Sequence, residues 1–332
     1  MPSPPANQEP SRAEPPPASP AAPRVPVPHM SAEAFREQAG RNVELVARYL
    51  EGVEAMPVMP PTKPGDVLRR IPERASEHPG DGREWDRMLG DVESLVIPHS
   101  LHWQSPSFFG YFPCNTSGPA IIGDLIASGL GGQGMLWQTA PAANEIERAV
   151  LDQMARAMDL PTWFLSSSAN GGGCIQPTAS DSTLVSVVAA RKRVLDRTDA
   201  SPGDLCLYAS EQAHSSVMKA ALIAGLARDA DDGSRVRLIA TDADDRLDPD
   251  ALRAAVLRDI EQGLTPAYVC ATLGTTGTTA VDPLDAIATT MAETGITEHG
   301  AWLHVDAAHA GVLLLCEEFR WMAAGMDRAD SM

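Results

Sequence analysis

From Ser31 onward apolar residues recur at helical spacing. Val43, Leu45, Val46, Tyr49 and Leu50 keep the helical period behind a possible Ser31 cap, which predicts a helix over 31–50. A second amphipathic run, Trp85, Met88, Leu89, Val92, Leu95 and Val96, predicts a helix over 84–96. Between them Pro57, Pro60, Pro61 and Pro64 impose an extended connector. Two helices joined by a proline strap share no core of their own, so they must pack on the main domain or on a partner subunit. Beyond Ser117 the pattern changes. Helical stretches at 119–130, 141–159, 180–197, 213–227, 249–263 and 283–295 alternate with short β-rich runs at 205–210, 235–240, 267–273 and 301–306. Such alternation predicts an α/β domain with a mainly parallel sheet covered by helices on both faces.

Residues 1–29 hold 11 of the chain's 28 prolines. A stretch of that composition buries too little apolar surface to offset its ordering entropy, which predicts a disordered tail. It is either a real tail or an over-long gene start ahead of Met30. The expected organisation is therefore a tail over 1–29, a helical segment over 30–100 and a sheet-bearing domain over 101–332. A net charge of −18 argues against nucleic acid and anionic membrane as partners, since both select for clustered Lys and Arg. Cys114, Cys174, Cys206, Cys270 and Cys316 show no metal-type spacing. With no charged start leading into an apolar block, they read as reduced thiols of a cytoplasmic protein. No apolar run approaches the roughly 18–20 residues needed to span a bilayer.

Four candidate stretches follow predicted strands or open predicted helices. The run Trp302-Leu303-His304-Val305 ends in Asp306-Ala307-Ala308. A carboxylate at a strand's carboxyl end, followed by small residues, leaves room for a flat ligand; the plainer reading is an Asp capping the next turn. Leu273-Gly274-Thr275-Thr276-Gly277 crowds hydroxyls and glycines at a second strand end, or forms a Thr-rich solvent loop. Gly171-Gly172-Gly173 leads through Thr178-Ala179-Ser180 into a helix, a ready anion site. It lacks the spacing of a nucleotide-binding loop, suits a smaller phosphate cofactor, and could also be an ordinary helix cap. Gln212-Ala213-His214-Ser215-Ser216 follows a third strand. Upstream, the aromatic-dense segments 102–113 and 132–137 suit a flat apolar substrate, or simple core packing.

In this order, His102-Trp103 with Tyr111-Phe112-Pro113, the triple glycine with Thr-Ala-Ser, Gln-Ala-His-Ser-Ser, Thr-Leu-Gly-Thr-Thr and His-Val-Asp-Ala-Ala resemble the group II pyridoxal-phosphate-dependent amino-acid decarboxylases, the aromatic-L-amino-acid and histidine enzymes among them. The resemblance runs from about Phe35 to Met332. It implies the type I fold of pyridoxal-phosphate enzymes, a homodimer, pyridoxal 5'-phosphate as cofactor, and decarboxylation of an L-amino acid, aromatic by its pocket. On it, Asp306 pairs with the pyridine nitrogen and keeps the ring protonated, and His214 stacks on the ring near the substrate carboxylate. Ala308 packs the other face. Ala179 and Ser180 cradle the phosphate, and Thr275 offers a hydroxyl near the cofactor. Trp103, Tyr111, Met135 and Trp137 fall where the family lines its substrate pocket, partly from the second subunit. Cys114, Met135 and His309 depart from the family's usual residues and bear on substrate identity rather than on reaction type.

In the family Ala-Asp-Ser is followed shortly by Asn-Pro-His-Lys, whose lysine carries the cofactor. Here Ala329-Asp330-Ser331 is followed by Met332, where the sequence closes. The expectation is a fragment, a frameshifted product or an incomplete record, without the mobile catalytic loop and the C-terminal small domain. An aliphatic amino-acid decarboxylase or an aldehyde synthase of the same fold stays open, as does a catalytically dead dimerising scaffold. The only lysines are Lys63, Lys192 and Lys219, and none matches the cofactor position. Borohydride reduction of this chain with pyridoxal phosphate should therefore leave no stoichiometric label; a single specifically labelled lysine among the three would overturn the assignment of roles.

Overall fold

The computed structural model describes residues 30–71, 84–111, 116–229 and 233–332. The Pro-rich stretch 1–29 and the residues Phe112, Pro113 and Cys114 lie outside them. The chain divides into two compact units, Met1–Gly118 and Pro119–Met332.

In the first unit α1 (Ala32–Gly52) starts where Ser31 accepts the amide of Ala34, at 3.1 Å. The second helix is more irregular than its periodicity suggests. Helix α2 (Glu84–Asp91) passes into a π-helical turn over Val92–Val96 and a 3-10 turn over Ile97–His99. Exposed ion pairs, Arg41–Asp86 at 2.7 Å and Arg48–Glu93 at 2.8 Å, join the two helices. Leu45 and Val53 are the buried hydrophobic residues among those described in this unit. That is little for an independent core.

The second unit carries α3 (Gly118–Leu130), whose first residue ends the first unit, then α4 (Pro141–Ala157), α5 (Ala179–Arg197), β1 (Leu205–Ser210), α6 (Ser216–Ile223), β2 (Val236–Ile239), α7 (Pro249–Glu261), β3 (Thr265–Thr272), α8 (Leu284–Glu293) and β4 (Trp302–Asp306). The strands lie in the order β2-β1-β3-β4, every pair parallel, with Leu207 opposite Val236 and Val269 opposite Leu303. Helix α6 is shorter than the 213–227 stretch predicted for it. A turn at His214 and Ser215 precedes it, and Gly225, at φ +72°, follows its end. Helix α7 stops before Gly263, at φ +76°.

Alternation along the strands divides the core. Leu205, Leu207 and Ala209 of β1 pack with Val187, Val194 and Val217 of α5 and α6. Cys206 and Tyr208 face the opposite side, among Leu252 and Val256 of α7 and Ile287 of α8. With both faces covered, the strands read as continuous apolar runs. One charge is built into this core. Asp259 is buried, accepts the Tyr208 hydroxyl at 2.8 Å and pairs with Arg237 at 2.7 Å.

Beyond β4 the chain returns to the sheet. Ser331 bridges His304 in parallel, and the Val305 amide donates to the Ser331 carbonyl at 2.9 Å. His304 is buried against Tyr268, ring centroids 5.9 Å apart, with Nδ1 2.8 Å from the Ser331 hydroxyl. Burial pushes this imidazole down to about 4, against a smaller upward pull from Asp306. Burial also pushes Asp282 up to about 6, although the amides of Leu247 and Thr272 donate to it.

The two groups act on stability in opposite directions. A depressed histidine contributes stability that is present above its unfolded value of about 6.5 and is lost as pH falls towards 4. A raised carboxyl contributes stability that is present below about 4 and is lost as pH rises through 6. Urea unfolding at pH 7 and pH 5 should therefore show His304→Gln losing less stability on acidification than the unmodified chain, by about 1–2 kcal/mol. Equal losses in both would show that His304 takes up its proton normally in the fold.

Candidate functional site

The carboxyl ends of β1, β3 and β4 open on one edge of the sheet, as those of neighbouring parallel strands must. At the end of β4, Asp306 is half-buried; its carboxylate accepts the Ala308 amide at 3.1 Å and its carbonyl accepts the Leu273 amide at 2.9 Å. Asp306, Ala307 and Ala308 form one wall of a cleft of about 300 Å³. Leu151 and Met154 of α4 line it as well, together with Met158 at the end of that helix, Phe164 and Met332. Gly172 and Gly173 of the glycine loop, Ala179, Ser182 and Thr183 at the start of α5, and Ala155, Leu160, His304 and Val305 complete the lining.

The start of α5 presents free amides beside this cleft. Thr178 caps the helix, its hydroxyl accepting the Asp181 amide at 3.1 Å. The N–H groups of Ala179 and Ser180, at the first two helical positions, lie outside the helix ladder, where the positive end of a 19-residue helix also falls. The glycine loop ahead of it is held from α4: the Glu147 carboxylate accepts the Ile175 amide at 2.8 Å. Asp152 accepts both the amide and the hydroxyl of Ser166 at 2.8 Å, and these bonds hold its carboxyl below the usual carboxylate range. A side chain at Gly171 would collide with the carbonyl oxygens of Trp163 and Leu165.

Of the residues singled out from the sequence, Ala179, Asp306 and Ala308 share this cleft, and Ser180 follows Ala179 directly. His214 is exposed in the turn after β1, its Nδ1 accepting the Ser216 amide at 3.2 Å. Thr275 is fully buried. Its hydroxyl lies 2.8 Å from that of Thr278 and accepts the Ala280 amide, so it closes its own turn rather than lining the cleft. Trp103 and Tyr111 belong to the first unit, ring centroids 5.8 Å apart. Met135 and Trp137 belong to the second; both are exposed, and the Trp137 indole donates to Glu145 at 2.9 Å. Sequence reasoning missed the α4 contribution. Leu151, Met154, Ala155 and Met158 keep the spacing of any core-facing helix, so their pattern carries no signal for a cleft.

Pyridoxal phosphate fits these residues. The alanines and the apolar side chains of α4 leave a slot for a flat ring, Asp306 supplies a carboxylate in one wall, and free helix amides meet an anion at another. No group of His, Cys, Asp and Glu able to hold a metal occurs among the described residues, and none of the described helices is long and apolar enough to cross a membrane.

Comparison with known proteins agrees. Residues 64–332 match the pyridoxal-dependent decarboxylase conserved domain. The chain is 40% identical over 305 residues to phenylacetaldehyde synthase of Arabidopsis thaliana, covering 91% of this chain and 59% of that protein. It is 38% identical over 313 residues to human histidine decarboxylase, covering 91% and 45%. The crystal structure of Catharanthus roseus tryptophan decarboxylase in complex with L-tryptophan superposes with a TM-score of 0.83 at 39% identity, over 90% of this chain and 60% of that one. The chain thus spans about half the length of the curated relatives it matches. On sequence, sheet topology and cleft together, it belongs to the pyridoxal-dependent decarboxylase family.

Proposed function

We propose that this chain forms the cofactor-binding part of an amino-acid α-decarboxylase acting on an aromatic L-amino acid, with amine and carbon dioxide as products. The observation that carries the reading is the single cleft that has Asp306 in one wall and the start of α5 in another. Pyridoxal phosphate, when bound, supplies an electron sink for cleavage of the bond to the substrate carboxyl carbon. On this reading the amides of Ala179 and Ser180 bind its phosphate. Asp306 holds a proton at the ring nitrogen, and an ionised partner in an apolar slot makes that proton costly to lose. Ala308 leaves one ring face open to close approach, and His214 orients the substrate carboxylate from the other. Buried Thr275 keeps the loop after β3 in shape beside the cofactor. The relatives leave a second reading open, because one of them is an aldehyde synthase.

A homodimer is part of the proposal. In the second unit Ile122, Leu125, Ile126 and Leu130 of α3 are exposed, as are Met135, Leu136 and Trp137 beyond it. In the first unit Phe35, Val43, Trp85 and Met88 are exposed. Apolar surface of this extent calls for a covering partner, and interfaces of obligate dimers typically bury about 2,000–5,000 Å² or more. Trp103, Tyr111, Met135 and Trp137 would supply the flat apolar walls for the substrate. We place the protein in the cytoplasm, since Cys174, Cys206, Cys270 and Cys316 are free thiols.

Three outcomes are expected in a chain carried on through the family lysine. Asp306→Asn should stay folded and decarboxylate on the order of 10³-fold more slowly, because the ring proton is no longer held. Near-normal turnover would reduce Asp306 to a capping residue. Sedimentation should show a dimer that persists at low micromolar concentration and is abolished by deleting residues 31–97, and an aromatic amino acid should rank first in a substrate panel. Preference for valine or glutamate would remove the aromatic pocket while leaving the decarboxylase reading intact.

A further inference from the structure

Arg193 stands on the second turn from the end of α5, and its guanidinium meets two separate pieces of chain, residues 300–302 and Asp330. Nε donates to the Gly300 carbonyl at 2.8 Å and Nη2 to the Ala301 carbonyl at 2.8 Å, just before β4. Both terminal nitrogens also donate to the Asp330 carboxylate, Nη2 at 2.9 Å. The same guanidinium lies 4.3 Å over the Trp302 ring. Asp330 is held in turn by β4, because its second carboxylate oxygen accepts the Leu303 amide at 2.8 Å. The next residue, Ser331, takes the Trp302 indole N–H at 2.7 Å and sits 2.8 Å from His304 Nδ1. Met332 follows in the lining of the candidate cofactor cleft, beside His304.

We propose that Arg193 is a positioning residue of the cofactor cleft: by clamping Asp330 to the start of β4 it sets the wall formed by His304 and Met332. The inference rests on the reading of the cleft as the pyridoxal-phosphate site. The physical case is one of geometry. A forked guanidinium satisfies a carboxylate and two carbonyls at once, which an ammonium at the same place cannot do. Helix α5 then ties the two ends of the cleft together. Its first turn faces the phosphate position, and Arg193, about four turns further on, holds the strand opposite Asp306. Without the fork, segment 329–332 keeps two backbone bonds to Leu303, at 2.8 and 3.3 Å, one to Val305, the Asp330 carboxylate bond to the Leu303 amide and the Ser331 side-chain contacts, but no hydrogen bond among the described residues ties it to α5.

The test uses the 332-residue chain and pyridoxal phosphate itself as probe, well below the melting temperature so that the variants are compared folded. Equilibrium dialysis should show Arg193→Lys binding the cofactor at least about tenfold more weakly, the loss expected for a bidentate charged pair. Asp330→Asn leaves Arg193 and its carbonyl bonds in place and guards against misfolding of the first variant; it should weaken binding similarly. The double variant should be no weaker than either alone, because the two residues act as a unit. Amide exchange at Val305, whose N–H is bonded to Ser331, should rise by about tenfold while the amides of β1 keep their protection. Unaltered cofactor affinity in both variants, with faster exchange at Val305, would show a purely structural clamp and overturn the inference. Unaltered exchange would overturn it too. If the unmodified chain bound no pyridoxal phosphate, the site reading itself would fall, an outcome distinct from variants that bind as well as their parent.

Discussion

A parallel sheet covered by helices on both faces offers a ligand only its strand ends. In this molecule the amides and carbonyls of β1, β3 and β4 are spent on their neighbours, and the side chains between them on the core. Polar chemistry is displaced to the carboxyl edge, where Ser210, Thr272 and Asp306 terminate their strands. The loops that follow interlock: the Ala310 amide donates to the Leu273 carbonyl, and the Leu273 amide to that of Asp306. The backbone of Asp306 is therefore fixed by two strands and two loops, and its carboxylate by the Ala308 amide, which gives the residue a rigid setting.

The opposite side of the cleft is held by a different device. Helix α4 sends Glu147 and Asp152 to the backbone of the segment before α5 and turns Leu151 and Met154 towards the slot, with Met158 just past its end. One helix therefore fixes the anion loop with its carboxylates and shapes the ring site with its apolar face. Methionine, unbranched and polarizable, follows the outline of a flat ring without a fixed shape of its own.

Much of this architecture is legible in the sequence. The strands 205–210 and 301–306 were read to within a residue of their ends, because buried parallel strands leave an unbroken apolar run between turn-forming residues. Asp306, Ala308 and Ala179 were legible because a carboxylate, a pair of small residues or a capped glycine turn at a strand or helix end breaks the apolar pattern. The contributions of α4 and of Arg193 were not. An apolar helical face has the same spacing against a cleft as against a core. A salt bridge between Arg193 and Asp330 spans 137 positions and leaves no local trace. The π-helical turn at Val92–Val96 was hidden for a related reason: five apolar and polar residues suit an α-helix equally well, and only packing selects the wider turn.

The crowding at Gly171 has an evolutionary consequence. Any Cβ there meets two backbone carbonyls, and a carbonyl, unlike a flexible side chain, cannot swing aside. Mutational drift is closed at this position whatever substrate the protein handles. Met135 and Trp137, with exposed side chains, carry no such restriction. The surface at Met135 and Trp137 can therefore diversify while the glycine loop stays frozen, so that gene copies derived from this sequence would vary at the one long before they varied at the other.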